Sequence, residues 1–289
     1  MANTLGTYTL RDKYMRANLD VALRKSLVAE KICRVDRSEL KRIQNPYITN
    51  QTAVVQAVAG TYSVSAMTTN EDALSVDDEV IFGTHVFDFE NLTSNFNLMA
   101  DFANDLTYSV SAALDKFVVN DLCESGNQAY TTPAGGFVTA ANVAVIMSNL
   151  LSKVAGYQSG LADGLYLVIE NTDVVGFAQA QVASGFSYSD AALNNGFMTN
   201  YMGVEIYVVR TGTFVDATTS TVSGTKTWTN SGHRVFGVKG ASTFASPRGI
   251  RYEEKGVSGK TGKEIVVSCL VGHKLWATKT DLVVDITLA

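Results

Sequence analysis

Cysteine, histidine and long apolar runs are all scarce in this chain of 289 residues. The three cysteines, Cys33, Cys123 and Cys269, lie far apart with no CxxC pair. An odd, sparse count points to a reducing compartment and buried thiols, and away from a disulfide framework. The three histidines, His85, His233 and His273, are each isolated in strand-like sequence. None has the spacing of an HExxH or other metal-ligand motif, so each is read as structural or surface-lying. No stretch of 18 residues is continuously apolar, which excludes a transmembrane helix. The longest uncharged run, Ser125–Ser152, is broken by Pro133, Gly135 and Gly136. The N-terminus lacks the basic-then-apolar pattern of a signal peptide. There is no GxSxG nucleophile elbow. In Gly156-Tyr157-Gln158-Ser159-Gly160 the serine is displaced by one position.

Charge is unevenly spread. The net charge is −5, but residues 1–45 carry ten Lys/Arg against five Asp/Glu, a net of +5. Residues 46–122 carry one lysine, Lys116, against eleven acids, a net of −10. Residues 123–289 carry twelve of each sign. A basic arm, an acidic middle and a neutral body suggest segments with different partners. Hydrophobic residues make up 46% and charged residues 18%, too apolar a balance for disorder. The length fits one large domain or two ordinary ones.

The hydrophobic pattern divides the chain further. Residues 10–33 read as a helix capped by Thr9, with Met15, Leu19, Leu23 and Leu27 at helical spacing. Residues 34–50 read as an extended connector ending near Pro46. Val54–Met67 and Val80–Phe89 are β-rich and flank acidic turns at Asn70–Asp72 and Asp77–Glu79. Together they predict a long two-stranded hairpin, which is marginal alone and must lean on something else.

Residues 96–123 give the strongest helix, with Leu98, Phe102, Leu106, Val110, Leu114, Phe117 and Leu122 in one stripe. Asp101, Asp105, Asp115 and Asp121 take its other side. About 25 residues make a rod of roughly 37 Å. Thr139–Val154 and Thr172–Ala183 read as helices, and Leu165–Ile169 and Val204–Val209 as strands. Asn195-Gly196 marks a turn. Residues 211–232, rich in Thr, Ser and Gly, read as a surface loop or small hairpin. The tail reads as strands at Arg234–Val238, Ile250–Glu254, Ile265–Val271 and Leu282–Leu288. The class is α+β.

The candidate chemistry is thin. Gly259-Lys260-Thr261 resembles the end of a phosphate-binding loop, but Glu254 stands where the first glycine belongs and a strand follows. A hairpin turn is the simpler reading. Asp77, Asp78 and Glu79 could hold a hard cation, but they lack EF-hand spacing. A solvated turn or a contact with a basic partner explains them better. Glu253 and Glu254, adjacent on a strand, point to opposite faces and are not a paired acid and base. The basic arm, from Arg11 and Lys13 to Lys41 and Arg42, could touch nucleic-acid phosphates without reading bases. Its interspersed acids favour an acidic protein surface instead. No catalytic residue, cofactor or metal is expected.

The order of elements resembles the tailed-phage major capsid protein family, with the Hong Kong 97-like fold that encapsulin shells share. The likeness covers nearly the whole chain. It is most specific in LYLVIENTDVVGFAQAQ and NGFMTNYMGVEIYVVRTG, between Leu165 and Gly212, and in ALDKFVVNDL at the end of the long helix. On it, Gly196 and Gly203 specify a turn into the strand Val204–Val208. The resemblance implies an N-terminal arm at 1–50 and an extended β-hairpin loop at 51–95. It implies a spine helix with the start of a peripheral domain at 96–137, an axial domain at 138–240 and peripheral strands at 241–289.

It further implies a non-enzymatic coat protein that self-assembles into hexamers and pentamers of an icosahedral shell. That shell would be built in the host bacterial cytoplasm, around double-stranded DNA held by non-specific contact. The partners implied are further copies, a portal and scaffolding or decoration proteins, with no membrane. Because the chain starts almost directly with the arm, a separate scaffolding protein or none is expected. The residues expected between subunits are Lys13, Arg16 and Arg24 on the arm, with Asp77, Asp78, Glu79, Asp101 and Asp105 opposite them. An encapsulin-like compartment is the alternative. An α/β hydrolase or nucleotide-binding enzyme, or a tail-tube or adhesin protein, is more remote.

Some members of the family cross-link a loop lysine to an asparagine of a neighbour. Here Tyr47–Asp115 holds no lysine. Denaturing gels of assembled particles should therefore show a single monomer band, and a ladder of covalent multimers would refute this.

Overall fold

The computed structural model describes residues 28–48, 69–86, 98–124, 128–155, 164–183, 200–221, 224–256 and 261–289. A helical turn, α1 (Ala29–Ile32), leads into strand β1 (Arg34–Asp36). Strands β2 (Arg42–Ile48), β3 (Thr69–Ser75) and β4 (Asp78–Val86) precede the long helix α2 (Leu98–Glu124). Next come β5 (Gln128–Thr131), α3 (Ala140–Ala155), β6 (Leu165–Glu170) and α4 (Val174–Ala183). The rest is β: β7 (Asn200–Tyr201), β8 (Val204–Val209), β9 (Asp216–Thr221), β10 (Gly224–Thr229) and β11 (His233–Val238). The chain closes with β12 (Ser242–Ala245), β13 (Arg251–Gly256), β14 (Lys263–Leu275) and β15 (Val283–Thr287).

Helix α2 lies between two sheets. The first sheet has six strands in the order β5-β15-β11-β6-β8-β7. Strand periodicity sorts its side chains by face. Leu165, Leu167, Ile169, Phe236, Val284 and Ile286 pack against α3 and α4. Tyr166, Val168, Val235 and Val283 pack on the opposite face with Val110, Leu114 and Val118 of α2. The second sheet runs β1-β12-β14-β13, with β4 also on β14. Its Ile265, Val267, Cys269 and Val271 join the same α2 cluster. Each large apolar side chain buried this way contributes roughly 1.5–3 kcal/mol. That stripe is what holds the C-terminal part of the 27-residue helix between the two sheets.

Most of the helix expected over 10–33 lies outside the described residues, and α1 is the part within them. The connector expected over 34–50 is not independent of the body. Val28, Ala29, Ile32 and Cys33 are buried in the α2 core, and β1 pairs in parallel with β12. The expected hairpin is revised at its acidic end. Strand β4 pairs with β14, from Asp78↔Val271 to Val86↔Lys263. Strand β3 pairs instead with β2, from Arg42↔Ser75 to Ile48↔Thr69. Residues 54–67 themselves lie outside the described residues. Asn70–Asp72 is therefore strand and not turn. Alternation reveals a strand but not its partner, and β14 is long enough to serve β4, β12 and β13.

The tail is likewise divided. Strand β15, expected among the peripheral strands of 241–289, lies in the six-stranded sheet between β11 and β5. Residues 211–232 do form a small hairpin, β9–β10. Its base is not a free surface loop, because Trp228 is buried edge-on to Phe117, 6.0 Å between ring centroids.

Two glycines are fixed by close approach. A Cβ on Gly176 in α4 would sit 1.8 Å from the Phe137 carbonyl oxygen, and one on Gly272 in β14 would sit 2.5 Å from the Ser75 oxygen. Backbone cannot yield as a flexible side chain can. Gly176→Ala should therefore cost roughly 1–3 kcal/mol or more, read as a lowered chemical-denaturation midpoint. Gly256→Ala, with nothing within 4 Å of its Cβ, should leave that midpoint nearly unchanged.

Candidate functional site

The sequence places its candidate contacts on the arm, the acidic segment and the long helix. Lys13, Arg16, Arg24 and Gly196 lie outside the described residues, as does the side chain of Asp101. Asp105 is exposed on α2. Asp77 sits in the turn between β3 and β4 and pairs with Lys41 at 3.7 Å. Asp78 is half-buried at the start of β4, and Glu79 is exposed opposite Leu270. Gly203 lies with Met202 in the two-residue turn joining β7 to β8. Their φ values of 82° and 52° are both positive, as a type I′ turn requires.

Among the described residues the β2–β3 pair is a ribbon attached at one end. Its base is closed by Leu74, Val76, Ala245 and Trp276, with Ile43 against them. Asp72 is buried there. It meets Lys274 at 2.6 Å and accepts the Ala277 N–H at 2.9 Å. Arg42 and Glu71 pair across the strands at 3.5 Å. Among the described residues no third strand joins this ribbon, and Ile48 at its far end is 51% exposed. Among the described residues the outer edges of this seven-pair ladder are unpaired, the kind of edge that can template another strand. Further exposed apolar groups lie elsewhere. Ile81 and Leu270 sit diagonally across β4 and β14, and Val138 and Val175 lie on the two segments that meet at Gly176.

The acidic side of α2 is not a solvent face near its C-terminus, which corrects the placing of Asp115 and Asp121 there. The Asp115 carboxylate accepts the N–H of Val28 at 2.9 Å and of Ala29 at 2.8 Å, anchoring α1. Burial lifts its pKa to about 6, against those two hydrogen bonds. Asp121 pairs with His273 at 2.5 Å and with Lys226, which also lies over the Phe117 ring. Fully buried Asn120 donates to the carbonyls of Thr213 and Lys116, both at 2.7 Å, and accepts the Val215 N–H at 3.1 Å. Asn230 donates to the Asn120 carbonyl at 2.9 Å. These bonds stitch the β9–β10 hairpin to the helix. A spacing rule could have put Asn120 and Asp121 off the apolar stripe, but not beneath a second layer.

A second buried charge cluster lies at the end of β6. Arg234 donates to Asp173 at 2.5 Å and to Glu170 at 3.2 Å, and its guanidinium lies 5.1 Å from the Phe214 ring centroid. Glu170 also accepts the Gly212 N–H at 2.9 Å. This network clamps β6, β11 and the 210–214 loop together. Removing one partner of such a buried pair typically costs about 3–5 kcal/mol. Beside it, an open cleft of about 370 Å³ is lined by Val28, Tyr108, Asp115, Lys116, Arg210 and Thr213. Gly259 and Lys260 of the phosphate-loop likeness lie outside the described residues, while Gly256 and Lys263 on either side pair and strand β14 follows. The three cysteines are buried free thiols. No helix among the described residues is long and apolar enough to cross a membrane.

No protein-family model and no curated protein matches the sequence. Solved structures do match along almost its whole length. The capsid of cyanophage P-SCSP1u aligns with a TM-score of 0.73 at 14% identity, covering 97% of this chain and 93% of that one. The mature capsid of bacteriophage PhiM1 aligns at 0.71 and 10% identity, covering 95% and 91%. The capsid of a native GTA particle aligns at 0.70 and 15% identity, covering 97% and 96%. The fold is that of these capsid chains.

Burial disfavours a charge on His273, but the hydrogen bond and charge of Asp121, with a contribution from Cys33, prevail and lift its pKa from 6.5 to about 9. A base raised on folding adds stability in full below its unfolded value and loses it as pH rises through the folded one. Denaturation midpoints should therefore fall between pH 6.5 and about 9. His273→Gln should be less stable at pH 6.5 and flatter across that window, and an unchanged slope would refute the assignment.

Proposed function

We propose that this chain is the major capsid (coat) protein of a tailed double-stranded DNA bacteriophage. Copies assemble as hexamers and pentamers of an icosahedral shell, formed in the host cytoplasm and enclosing the genome. The observation that carries this reading is end-to-end likeness to capsid chains, each covered over more than nine-tenths of its own length. A hydrolase or nucleotide-binding enzyme inserted in a different fold would not align over both sheets and the spine helix together. The same likeness supports a structural and non-enzymatic role.

The ribbon gives the reading its physical form. Two strands alone are marginally stable in water, and among the described residues β2–β3 packs on its own chain at the base. A neighbouring copy supplies the surface it lies on. The first 27 residues, with Lys13, Arg16 and Arg24, reach across to acidic surface on another copy or to packaged DNA. Charge at such contacts sets register and encounter rate more than final affinity. In this reading the extended loop takes its strands from β2 and β3, so the arm expected over 1–50 gives way to the loop at Arg42. Helix α2 is the spine. The six-stranded sheet with α3 and α4 is the axial part, and the β14-centred sheet is the peripheral part. Portal, scaffolding and decoration proteins are partners of the assembled shell.

Negative-stain microscopy of the expressed chain should show closed polyhedral shells, and tubes or dispersed monomers would overturn the proposal. Nuclease-protected DNA in particles from infected cells separates a virion from an encapsulin-like compartment, which would hold protein cargo instead. Reversing Lys13, Arg16 and Arg24 to Glu should lower shell yield, and high salt should do the same to the unmodified chain. Unchanged yield would remove the arm from the assembly contact.

A further inference from the structure

Residues that the sequence keeps far apart meet where the spine helix ends. Cys123 is the penultimate residue of α2, His233 opens β11 and Asp285 lies in β15. In the β11–β15 register Val235 faces Asp285 and His233 faces Thr287, so His233 and Asp285 are diagonal neighbours. Val235 and Val283 flank them on the sheet face that packs on α2. Strand periodicity therefore aims both polar side chains at the helix, at the level where Cys123 closes it. The thiol, imidazole and carboxylate ligand atoms all lie within 4.8 Å of one another. His233 Nδ1 is 2.9 Å and 3.0 Å from the two Asp285 oxygens.

We propose that Cys123, His233 and Asp285 form a binding site for a single divalent zinc-type cation. One sulfur, one nitrogen and one oxygen ligand are the three donor types that Zn²⁺ accepts, at about 2.3, 2.0–2.1 and 2.0–2.2 Å. Three such bonds to one centre need donor separations of roughly 3.3–3.8 Å. The His233–Asp285 separation is a little shorter than that range and the other pairs lie within 4.8 Å, so shifts of about an ångström or less bring the three donors to one centre. Water completes the tetrahedron. The site is reachable, since the His233 and Asp285 side chains are 20% and 14% exposed.

The charges also balance. A thiolate and a carboxylate neutralise the cation, which suits a largely buried place. Glu124 adds negative potential beside the thiol, and Arg234 opposes it. Before metal enters, burial first and then Asp285 hold the Cys123 proton tightly. Asp285 itself is raised by burial, against hydrogen bonds from His233 and Cys123. The cation takes the place of shared protons. The thiol proton leaves to solvent, the neutral imidazole carries its hydrogen on Nε2, and Nδ1 becomes a ligand. No electron changes hands. Binding pins the C-terminal end of the spine to two strands of the six-stranded sheet, and metal affinity thereby becomes folding stability.

The test uses the full chain, stripped with chelator and titrated with Co²⁺ and then Zn²⁺. One equivalent of Co²⁺ per chain should give a thiolate-to-cobalt charge-transfer band and the visible bands of a tetrahedral site. Zn²⁺ should displace it and raise the thermal midpoint. Cys123→Ser should abolish the charge-transfer band. His233→Asn, a change at a partly exposed position, should weaken binding at least about tenfold while circular dichroism stays native. His85→Asn should retain the full signal. Absence of a cobalt–thiolate band in the unmodified chain would overturn the proposal without any variant. A band that survives in Cys123→Ser and His233→Asn would assign the metal elsewhere and equally overturn it.

Discussion

Everything in this molecule is arranged around one helix packed on two sides. A helix against a single sheet can turn its polar face to water. Helix α2 has the six-stranded sheet on one flank and the β14-centred sheet on another. Its last turns also carry the base of the β9–β10 hairpin. The polar residues of those turns have nowhere to go and must be matched internally, because an unpaired buried polar group costs about 1–3 kcal/mol. Asp115, Asn120, Asp121 and Cys123 are each matched by a different segment. Asp115 takes the backbone of α1, Asn120 the hairpin base, Asp121 both His273 and Lys226, and Cys123 the Asp285 carboxylate. These contacts set where each segment sits on the spine, a matter that apolar burial alone leaves loose.

What could be read in advance follows from this. Helical and strand periods are local, so α2, α3, α4, β6 and β8 stand where their side-chain patterns put them, within a residue or two. The β7–β8 turn is legible for a local reason, since Gly203 supplies a positive φ. Strand partners are not local. Residues 78–86 alternate as well beside one partner as another, and only the thirteen-residue reach of β14 decides the matter. Buried polar partners are less legible still. Asp121 and His273 lie 152 positions apart, and nothing near either announces the other. A carboxylate off the apolar stripe looks solvated until a second layer is known to cover it.

The charge map gains a sharper meaning. The end of the basic segment already rests on the acidic middle of the same chain, through Lys41 with Asp77, Arg42 with Glu71 and the α1 backbone with Asp115. The first two pairs are exposed and contribute little stability, about 0–1 kcal/mol each. Their consequence is orientation. With the Asp115 anchor on α1, they fix how residues 28–48 lie on the body.

The ribbon also has a mechanical consequence. A seven-residue strand spans about 23 Å, and here it is gripped at one end by Leu74, Val76 and Trp276. It is a cantilever. A tilt of about 10° at the grip, the sort of adjustment a few side-chain rotations allow, carries the far end of the described strands some 4 Å, on the ~3.3 Å rise per residue. The packed layers around α2 need not move at all. In the shell proposed above, identical chains could therefore meet their neighbours at unequal angles, as the flat and curved regions of a closed surface demand, while each keeps the same interior.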